Sequence, residues 1–125
     1  MAYEVEFTDE FDGWWDMLEE DEQESVRAGV EKLISFGPFL EFPDSSGIRG
    51  SRHGRMRELR VKHRGRPYRV LYAFDPRRVA ILLIGGDKTG SRRWYERFVP
   101  LADDLYDQHL REIAEEGEWF GAERR

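Results

Sequence analysis

Positively charged side chains are concentrated in the middle of this 125-residue chain. Residues 49–97 hold 15 Lys or Arg and 4 Asp or Glu, whereas the rest of the chain holds 5 Lys or Arg and 22 Asp or Glu. Thirteen of the 15 basic residues are Arg, whose planar guanidinium group forms paired hydrogen bonds with phosphate and stacks on bases. Because like charges held close together oppose folding, this concentration indicates a surface for a polyanion.

Aromatic residues are interleaved with the basic ones, at Tyr68, Tyr72, Trp94 and Tyr95. Bases of single-stranded RNA stack on aromatic rings, so this pattern favours single-stranded RNA over a duplex. A plainer alternative is that the basic side chains pair with acidic helices elsewhere in the chain. Exposed pairs contribute only ~0–1 kcal/mol each, and we expect helices to cover a single face of the sheet, so pairing does not account for all of the charge.

Three consecutive strands are predicted to carry these basic side chains. Alternation of apolar and polar residues predicts the first two, and a run that is apolar on both faces predicts that the third is the central, best-buried strand. The strands are expected at residues 56–63, 67–75 and 79–86. Because side chains alternate along a strand, Arg60, Lys62 and Arg69 are expected to lie on the same face of the sheet.

An acidic pair of helices is predicted to precede the basic strands. Residues 3–7 alternate apolar and acidic, which predicts a half-buried strand at the start of the chain. Apolar residues at helical spacing then predict a first helix capped by Thr8 or Asp9. A second helix is expected to follow a capping box formed by Asp21 and Glu24. We interpret the outward carboxylates as a solvated face, with a docking surface for a basic partner as the alternative.

A long connection and a C-terminal helix complete the predicted order. Residues 38–54 are rich in Pro, Ser and Gly and are expected to form a loop. The glycines at 85–86 should end the last strand, and a short helical piece should follow at 91–98. Pro100 suits the first turn of a final helix that should end near Glu116.

The predicted fold is α+β with the order β-α-α-β-β-β-α. It is a small, mostly antiparallel sheet with an N-terminal αα-hairpin and a C-terminal helix, and the helices pack on one face of the sheet. We expect one domain at residues 1–116 and a polar C-terminal tail at 117–125. The basic face of the sheet would then be uncovered.

Several classes of protein are disfavoured by composition. The chain has no Cys, which excludes disulfides and thiolate metal sites, and its 3 His share no spacing typical of a metal site. We therefore predict no metal and no cofactor. The acidic start lacks the features of a secretory signal, and the longest apolar run is far shorter than the ~20 residues of a membrane helix. We expect a soluble, cytoplasmic protein with no membrane contact.

Three segments of the basic region together resemble a known family. They are Arg-Glu-Leu-Arg at 57–60, Tyr-Arg-Val-Leu-Tyr at 68–72, and Ile-Leu-Leu-Ile-Gly-Gly-Asp-Lys-Thr at 81–89. The pattern resembles the RelE/ParE superfamily of toxins, specifically its HigB-like, phage-derived branch, and the resemblance covers nearly the whole chain. It implies the RelE-like fold and the toxin half of a type II toxin–antitoxin module.

The resemblance also implies an activity and two partners. Many members bind the ribosomal A site and cut the mRNA there, and a helix-turn-helix or otherwise DNA-binding antitoxin neutralises them. The cleavage needs no metal, because the 2′-OH attacks the adjacent phosphate and leaves a cyclic phosphate and a 5′-OH. Such a reaction requires a base, cations around the phosphate and an acid for the leaving oxygen.

Four residues match functional positions of the family. Arg60 and Arg69 match basic residues that clamp the phosphate, and Lys88 matches a charge stabiliser or acid. Tyr95 matches a base or base-stacking tyrosine, and it can act as a base only if neighbouring cations lower its pKa from about 10. We expect further RNA contacts from Arg57, Lys62, Arg64, Arg66, Arg92 and Arg93.

The chain departs from the family pattern at Glu58, where RelE-type toxins carry a lysine. Glu58 is either an ion-pair partner for Arg69 or an argument against cleavage. HigB relatives use histidine and aspartate in varied positions, so His53, His63 and Asp87 are rival acid or base candidates. The identity of the base stays open at this point.

Two other functions are compatible with the same residues. ParE relatives poison DNA gyrase, so the chain could be a non-catalytic gyrase inhibitor that acts through protein contacts. Alternatively, it could be a plain nucleic-acid-binding module, whose binding would fall steeply with salt without any cut product.

Overall fold

The computed structural model describes the backbone of residues 2–123 and the side chains of residues 2–117. Within this range the chain forms a five-stranded sheet and three α-helices, with a short 3-10 turn at Gly37–Phe39. In chain order, the elements are β1 Val5–Phe7, α1 Asp9–Asp16, α2 Glu20–Phe36, β2 Ser45–Gly47, β3 Arg57–His63, β4 Arg66–Phe74, β5 Ala80–Asp87 and α3 Trp94–Glu123.

The strands are arranged in the order β1-β5-β4-β3-β2. β1 pairs parallel to β5, and the other neighbours are antiparallel. The predicted α+β class and the αα-hairpin are confirmed. The central strand, however, is β4, so the prediction that the apolar run at 79–86 is central was wrong. β5 is buried on both faces because α1 packs on one of them and α3 on the other.

Helices cover both faces of the sheet, which corrects the prediction of a single covered face. One core lies between the sheet and the hairpin of α1 and α2, where Val26 and Leu33 pack with strand residues such as Val70. A second core lies between the sheet and α3, where Trp94 and Ala102 pack against apolar strand residues. The second helix layer forms because Leu71, Ala73, Ile81 and Leu83 make that face apolar and it must be removed from water.

The predicted loop at 38–54 contains a strand that the sequence did not indicate. β2 pairs antiparallel with the start of β3, with Ser45 opposite Leu59 and Gly47 opposite Arg57. Its sequence, Ser-Ser-Gly, has little intrinsic preference for a strand. Pairing with the neighbouring β3 therefore decides its conformation.

The starts of the first two helices are set by capping side chains. The hydroxyl of Thr8 accepts a hydrogen bond from the backbone of α1 at 3.0 Å, as predicted. The capping box of α2 is formed by Glu19 and Glu22, with the Glu19 N–H donating to Glu22 Oε1 at 2.9 Å. The prediction that Asp21 and Glu24 form this box was wrong by two residues, because the acidic run offers several pairs with the same spacing.

The C-terminal part of the described chain is one helix, α3. The prediction of a separate helical piece at 91–98 was wrong, and Pro100 lies inside α3 rather than in its first turn. The helix continues seven residues beyond Glu116, where we expected it to end. Residues 124–125 lie outside the described range, and the division into a domain and a tail at 117–125 stays a prediction. No helix within residues 2–123 has the length and apolar character needed to cross a membrane.

Two tryptophans pack directly on the backbone of β5. A Cβ atom at Gly85 would lie 2.3 Å from the ring of Trp14, and one at Gly86 would lie 2.6 Å from Nε1 of Trp94. The glycines therefore continue the strand and make room for the rings, which corrects the predicted break at 85–86. Through this contact, β5 fixes the start of α3 and the side chains that α3 carries.

Candidate active site

The carboxylate of Glu58 lies at the centre of a cluster that contains three of the four predicted catalytic residues. Glu58 is only 5% exposed. Its Oε1 accepts a hydrogen bond from the hydroxyl of Tyr95 at 2.5 Å and lies 3.2 Å from Nε of Arg69. Its Oε2 accepts from Arg60 Nη1 at 3.3 Å and from Ser46 Oγ at 2.7 Å. Four elements, β2, β3, β4 and α3, supply these side chains.

The two arginines come together because they lie directly opposite each other on β3 and β4. Like charges in opposite positions repel, and Glu58 between them offsets that repulsion. The prediction that both arginines lie on an uncovered face was wrong. Arg69 is only 7% exposed and has Tyr95 of α3 beside it. The side chain of Arg60 is 29% exposed. The residues converge as expected, but the site is partly covered.

Arg69 has an unused hydrogen-bond donor. Its Nη1 donates to the carbonyl oxygen of Tyr68 at 3.0 Å. Its Nε is close enough to Glu58 for an ion pair, but the N–H does not point at the oxygen, and among the described residues this buried N–H has no hydrogen-bond partner. Buried donors are almost always satisfied, but this N–H is shielded from solvent, so a ligand would reach it only after the side chains around it move.

Lys88, the fourth predicted catalytic residue, lies next to Tyr95 at the edge of the cluster nearest α3. Nζ of Lys88 lies 5.1 Å from the centre of the Tyr95 ring. Burial raises the pKa of Tyr95, and its hydrogen bond to Glu58 raises that pKa further. Arg69 lowers it, but by less than these two effects together. The phenol is therefore a hydrogen-bond donor near neutral pH, which disfavours Tyr95 as the base.

Three of the predicted RNA contacts are exposed and lie near this cluster in the fold. Lys62 is exposed on β3, two residues after Arg60 and on the same face. Arg92 and Arg93 are exposed immediately before α3, and Arg93 makes only a loose contact of 3.9 Å with Glu96. All three are accessible to a ligand that follows this face.

The other three predicted RNA contacts already have protein partners. Arg64 lies 2.7 Å from Asp21 of α2, and Arg66 lies 3.1 Å from Asp87. Arg57 points to the opposite face of the sheet, where its Nε donates to Ser45 Oγ at 3.0 Å. The structure therefore does not bring Arg57 to the cluster, because its position in β3 alternates with those of Glu58 and Arg60.

The three rival acid or base candidates lie elsewhere. His53 is bonded to Asp107 at 2.7 Å, and Asp107 lies twelve residues after Tyr95 on α3, or roughly 18 Å along the helix. His63 is buried on the opposite face of the sheet, where its ring is 2.7 Å from Ser25 Oγ. Asp87 also points to the opposite face of the sheet, where it pairs with a basic side chain of β4. Across the described part of the chain, no three His, Asp or Glu side chains are grouped so that they could hold a metal ion.

An open groove of about 650 Å³ lies beside the cluster. Arg60, Lys62 and Arg69 line one side of it, and Gly29 and Lys32 of α2 line another. The groove follows the edge of β3 beyond the last residue that β2 pairs with. An extended, negatively charged chain can therefore approach Arg60 from the side of α2.

Two residues near the cluster were missed in the sequence because residues 38–54 were interpreted as a loop. Ser46 donates its hydroxyl hydrogen to Glu58, and the ring of Phe42 lies 5.0 Å from Cζ of Arg60. The only signal for Phe42 was an aromatic residue in an otherwise polar connection. Neither contact can be derived without knowing that β2 pairs with β3.

Comparison with known sequences identifies one family. The family described as phage derived protein Gp49-like (DUF891) matches residues 13–107. Two relatives from Mycobacterium tuberculosis (strain ATCC 25618 / H37Rv) are named putative toxin HigB2 and putative toxin HigB3. The chain is 41% identical to HigB2 over 99 residues, which are 78% of this chain and 49% of HigB2. It is 40% identical to HigB3 over 98 residues, which are 78% of this chain and 84% of HigB3. The chain thus spans about half of HigB2 and most of HigB3.

Comparison with solved structures shows a fold shared with RelE toxins. The isolated E. coli RelE toxin matches with a TM-score of 0.55 and 20% identity, covering 76% of this chain and 94% of RelE. The archaeal RelE–RelB complex from Pyrococcus horikoshii OT3 matches with a TM-score of 0.53 and 18% identity, covering 73% of this chain and 100% of the matched one. At such identities the likeness concerns the fold alone. The family match and the HigB relatives confirm the HigB-like resemblance, and this chain, with a RelE-like fold, belongs to the Gp49-like, phage-derived family.

Proposed function

We propose that this chain is the toxin of a type II toxin–antitoxin module and that it cuts mRNA on the ribosome. The observation that carries the proposal is the convergence of Arg60, Arg69 and Tyr95 on the carboxylate of Glu58. The names of the HigB relatives support the toxin role. Two arginines, a carboxylate and a phenol are a sufficient set of groups for the transfer of an RNA phosphate to its own 2′-OH.

In the proposed mechanism the phosphate of the RNA binds to the two arginines. Arg60 is partly exposed and is reached first, and Arg69, directly opposite on β4, adds the positive charge of a second guanidinium group. Charge-assisted hydrogen bonds from guanidinium groups to phosphate are strong. They would also stabilise the extra negative charge that develops on the phosphate oxygens in the transition state.

Glu58 is the base in this proposal. When the phosphate engages the arginines, the carboxylate loses part of its ion pairing and can accept a hydrogen bond from the 2′-OH instead. It then takes the proton of the 2′-OH, the 2′ oxygen attacks phosphorus, and the bond to the 5′ oxygen breaks. Tyr95 orients Glu58 through its hydrogen bond, and Lys88, next to the Tyr95 ring, stabilises or protonates the leaving 5′ oxygen.

The proposal includes a cognate antitoxin as partner. A RelE chain similar in fold to this one was solved in complex with RelB, which supports a neutralising protein partner here as well. We propose a helix-turn-helix, DNA-binding antitoxin that covers or distorts the basic face, and a site of action in the cytoplasm, where mRNA is translated. Carboxylates of α2 already pair with Arg64 and Arg66, so the antitoxin would act mainly on Arg60, Lys62 and the residues around them.

Expression of the chain without an antitoxin is expected to arrest bacterial growth. Primer extension on cellular mRNA should then show cuts within translated regions, at positions in frame with the codons. The Arg60→Ala variant should abolish both effects while its protein accumulates to the same level. A clear growth arrest with intact transcripts would exclude the nuclease and favour a gyrase inhibitor. Absence of any arrest, with salt-sensitive RNA binding, would instead indicate a binding module.

A further inference from the structure

Phe42 is a large apolar side chain in a highly exposed position. It is 71% exposed, and two more exposed phenylalanines lie nearby in the chain, Phe36 at the end of α2 at 57% and Phe39 in the following turn at 74%. Within the described part of the chain, Phe42 alone of these three lies against a guanidinium group, 5.0 Å from Cζ of Arg60. Arg60 covers one face of the ring, and the high exposure leaves the other face to solvent.

The backbone that carries Phe42 is firmly attached to the sheet and to α2. The carbonyl oxygen of Asp44 accepts a hydrogen bond from the N–H of Arg60 at 2.8 Å. The side chain of Asp44 pairs with Lys32 of α2 at 2.9 Å. Phe42 lies in a turn that is closed by a hydrogen bond from the N–H of Asp44 to the carbonyl oxygen of Glu41, at 3.0 Å. Phe42 is therefore held in place before any ligand binds, which reduces the entropy cost of a contact.

The surroundings of Phe42 indicate what its free face would contact. The neighbouring Pro43 lines the basic groove together with Arg60, Lys62 and Arg69. A single-stranded nucleic acid bound in such a groove holds its phosphates on the cations and exposes the faces of its bases. Aromatic side chains beside a cationic groove bind those faces by stacking.

We propose that Phe42 is a stacking platform for the RNA base next to the phosphate that Arg60 binds. The proposal rests on the proposed function and adds a residue that positions one base of the bound RNA. The stack consists of the guanidinium of Arg60, the ring of Phe42 and the base. Since every base has a π-face, the contact tolerates any sequence. Phe39 is similarly exposed, but among the described residues no guanidinium lies against its ring, so it is the matched control.

The test compares two short single-stranded oligonucleotides that carry 2′-deoxy sugars and so cannot be cleaved. One carries bases at all positions, and the other has the same phosphates but abasic sugars. Phe42→Ala is expected to weaken binding of the first about tenfold and to leave binding of the second unchanged, as measured by fluorescence polarisation at low salt. Phe39→Ala should change neither affinity, and Phe42→Trp should restore binding and show quenching of its indole by the bases.

The outcomes separate this inference from the function on which it rests. Equal affinity of Phe42→Ala and the wild-type protein for the base-carrying oligonucleotide contradicts the stacking role alone, and the exposed phenylalanines then become candidates for a protein contact. An equal loss with both oligonucleotides also contradicts it, because the effect would not depend on a base. A wild-type protein that binds neither oligonucleotide overturns the stacking role, whereas the proposed nuclease is tested separately by cleavage of mRNA on ribosomes.

Discussion

Replacing Glu58 with alanine is expected to lower the free energy of unfolding by about 3–5 kcal/mol. Glu58 and Arg69 are both buried and lie 3.2 Å apart, so the substitution leaves a buried guanidinium without a counter-charge. It also removes the acceptor of the Tyr95 and Ser46 hydroxyls. A small domain has only about 5–15 kcal/mol of stability, so urea unfolding should show a large shift of the midpoint.

An exposed ion pair provides the control for this prediction. Glu96→Ala removes a partner of Arg93 in a pair whose side chains are 74% and 83% exposed, and surface substitutions of this kind usually stay within about 0.5 kcal/mol. Replacing Glu58 and Arg69 together by leucine should recover much of the loss, because no buried charge then remains. If Glu58→Ala unfolds at the same urea concentration as the wild-type protein, the buried pair does not stabilise the site as described.

Loss of either arginine is expected to reduce RNA cleavage on programmed ribosomes by roughly a hundredfold or more. Each guanidinium would contact the phosphate oxygens, on which charge develops in the transition state. Arg69→Ala also leaves Glu58 buried without its cation, so part of its effect will come from lower stability. Arg60→Ala is the cleaner variant, because Arg60 is partly exposed and the Glu58–Arg69 contact remains.

Arg93→Ala is the matched control for the two arginines. It removes the same charge from an exposed position just before α3, and it should change the cleavage rate only a few fold, through weaker attraction of the RNA. Single-turnover rates on ribosomes with a defined codon in the A site measure all three variants. Wild-type rates for both Arg60→Ala and Arg69→Ala would remove the two residues from the mechanism.

Strands β1, β3 and β4 could be predicted because period-two alternation is a local property of the sequence. The register between β3 and β4 is equally local, since Arg64 and Gly65 form a tight turn with positive φ angles of 49° and 81°. Opposition of Arg60 and Arg69 follows directly from that turn. The position of β5 in the sheet cannot be predicted from local sequence. An apolar run predicts that a strand is buried on both faces, but it does not predict which strand is central.

The sequence predicted which residues form the candidate site, but it did not predict that the site is partly buried. Arg60, Arg69 and Glu58 lie on two neighbouring strands, which the sequence indicates. The cover over Arg69 comes from Tyr95, which reaches the sheet because Trp94 packs on Gly86. This contact forms between a residue of α3 and a glycine of β5, and no hydrophobic period in the sequence predicts it. The same holds for Ser46 and Phe42, whose positions depend on the unexpected β2.

The chemical nature of the cut ends tests the account most directly. Wild-type protein should be incubated with ribosomes that carry a 5′-labelled mRNA, and the new downstream end should be probed with a kinase that phosphorylates only 5′-hydroxyls. The account predicts an mRNA cut in the A site with a 5′-hydroxyl on the downstream product and a cyclic phosphate on the upstream one, and no product with Arg60→Ala. An mRNA that stays intact, or a downstream product with a 5′-phosphate, would contradict attack by the 2′-OH at this site.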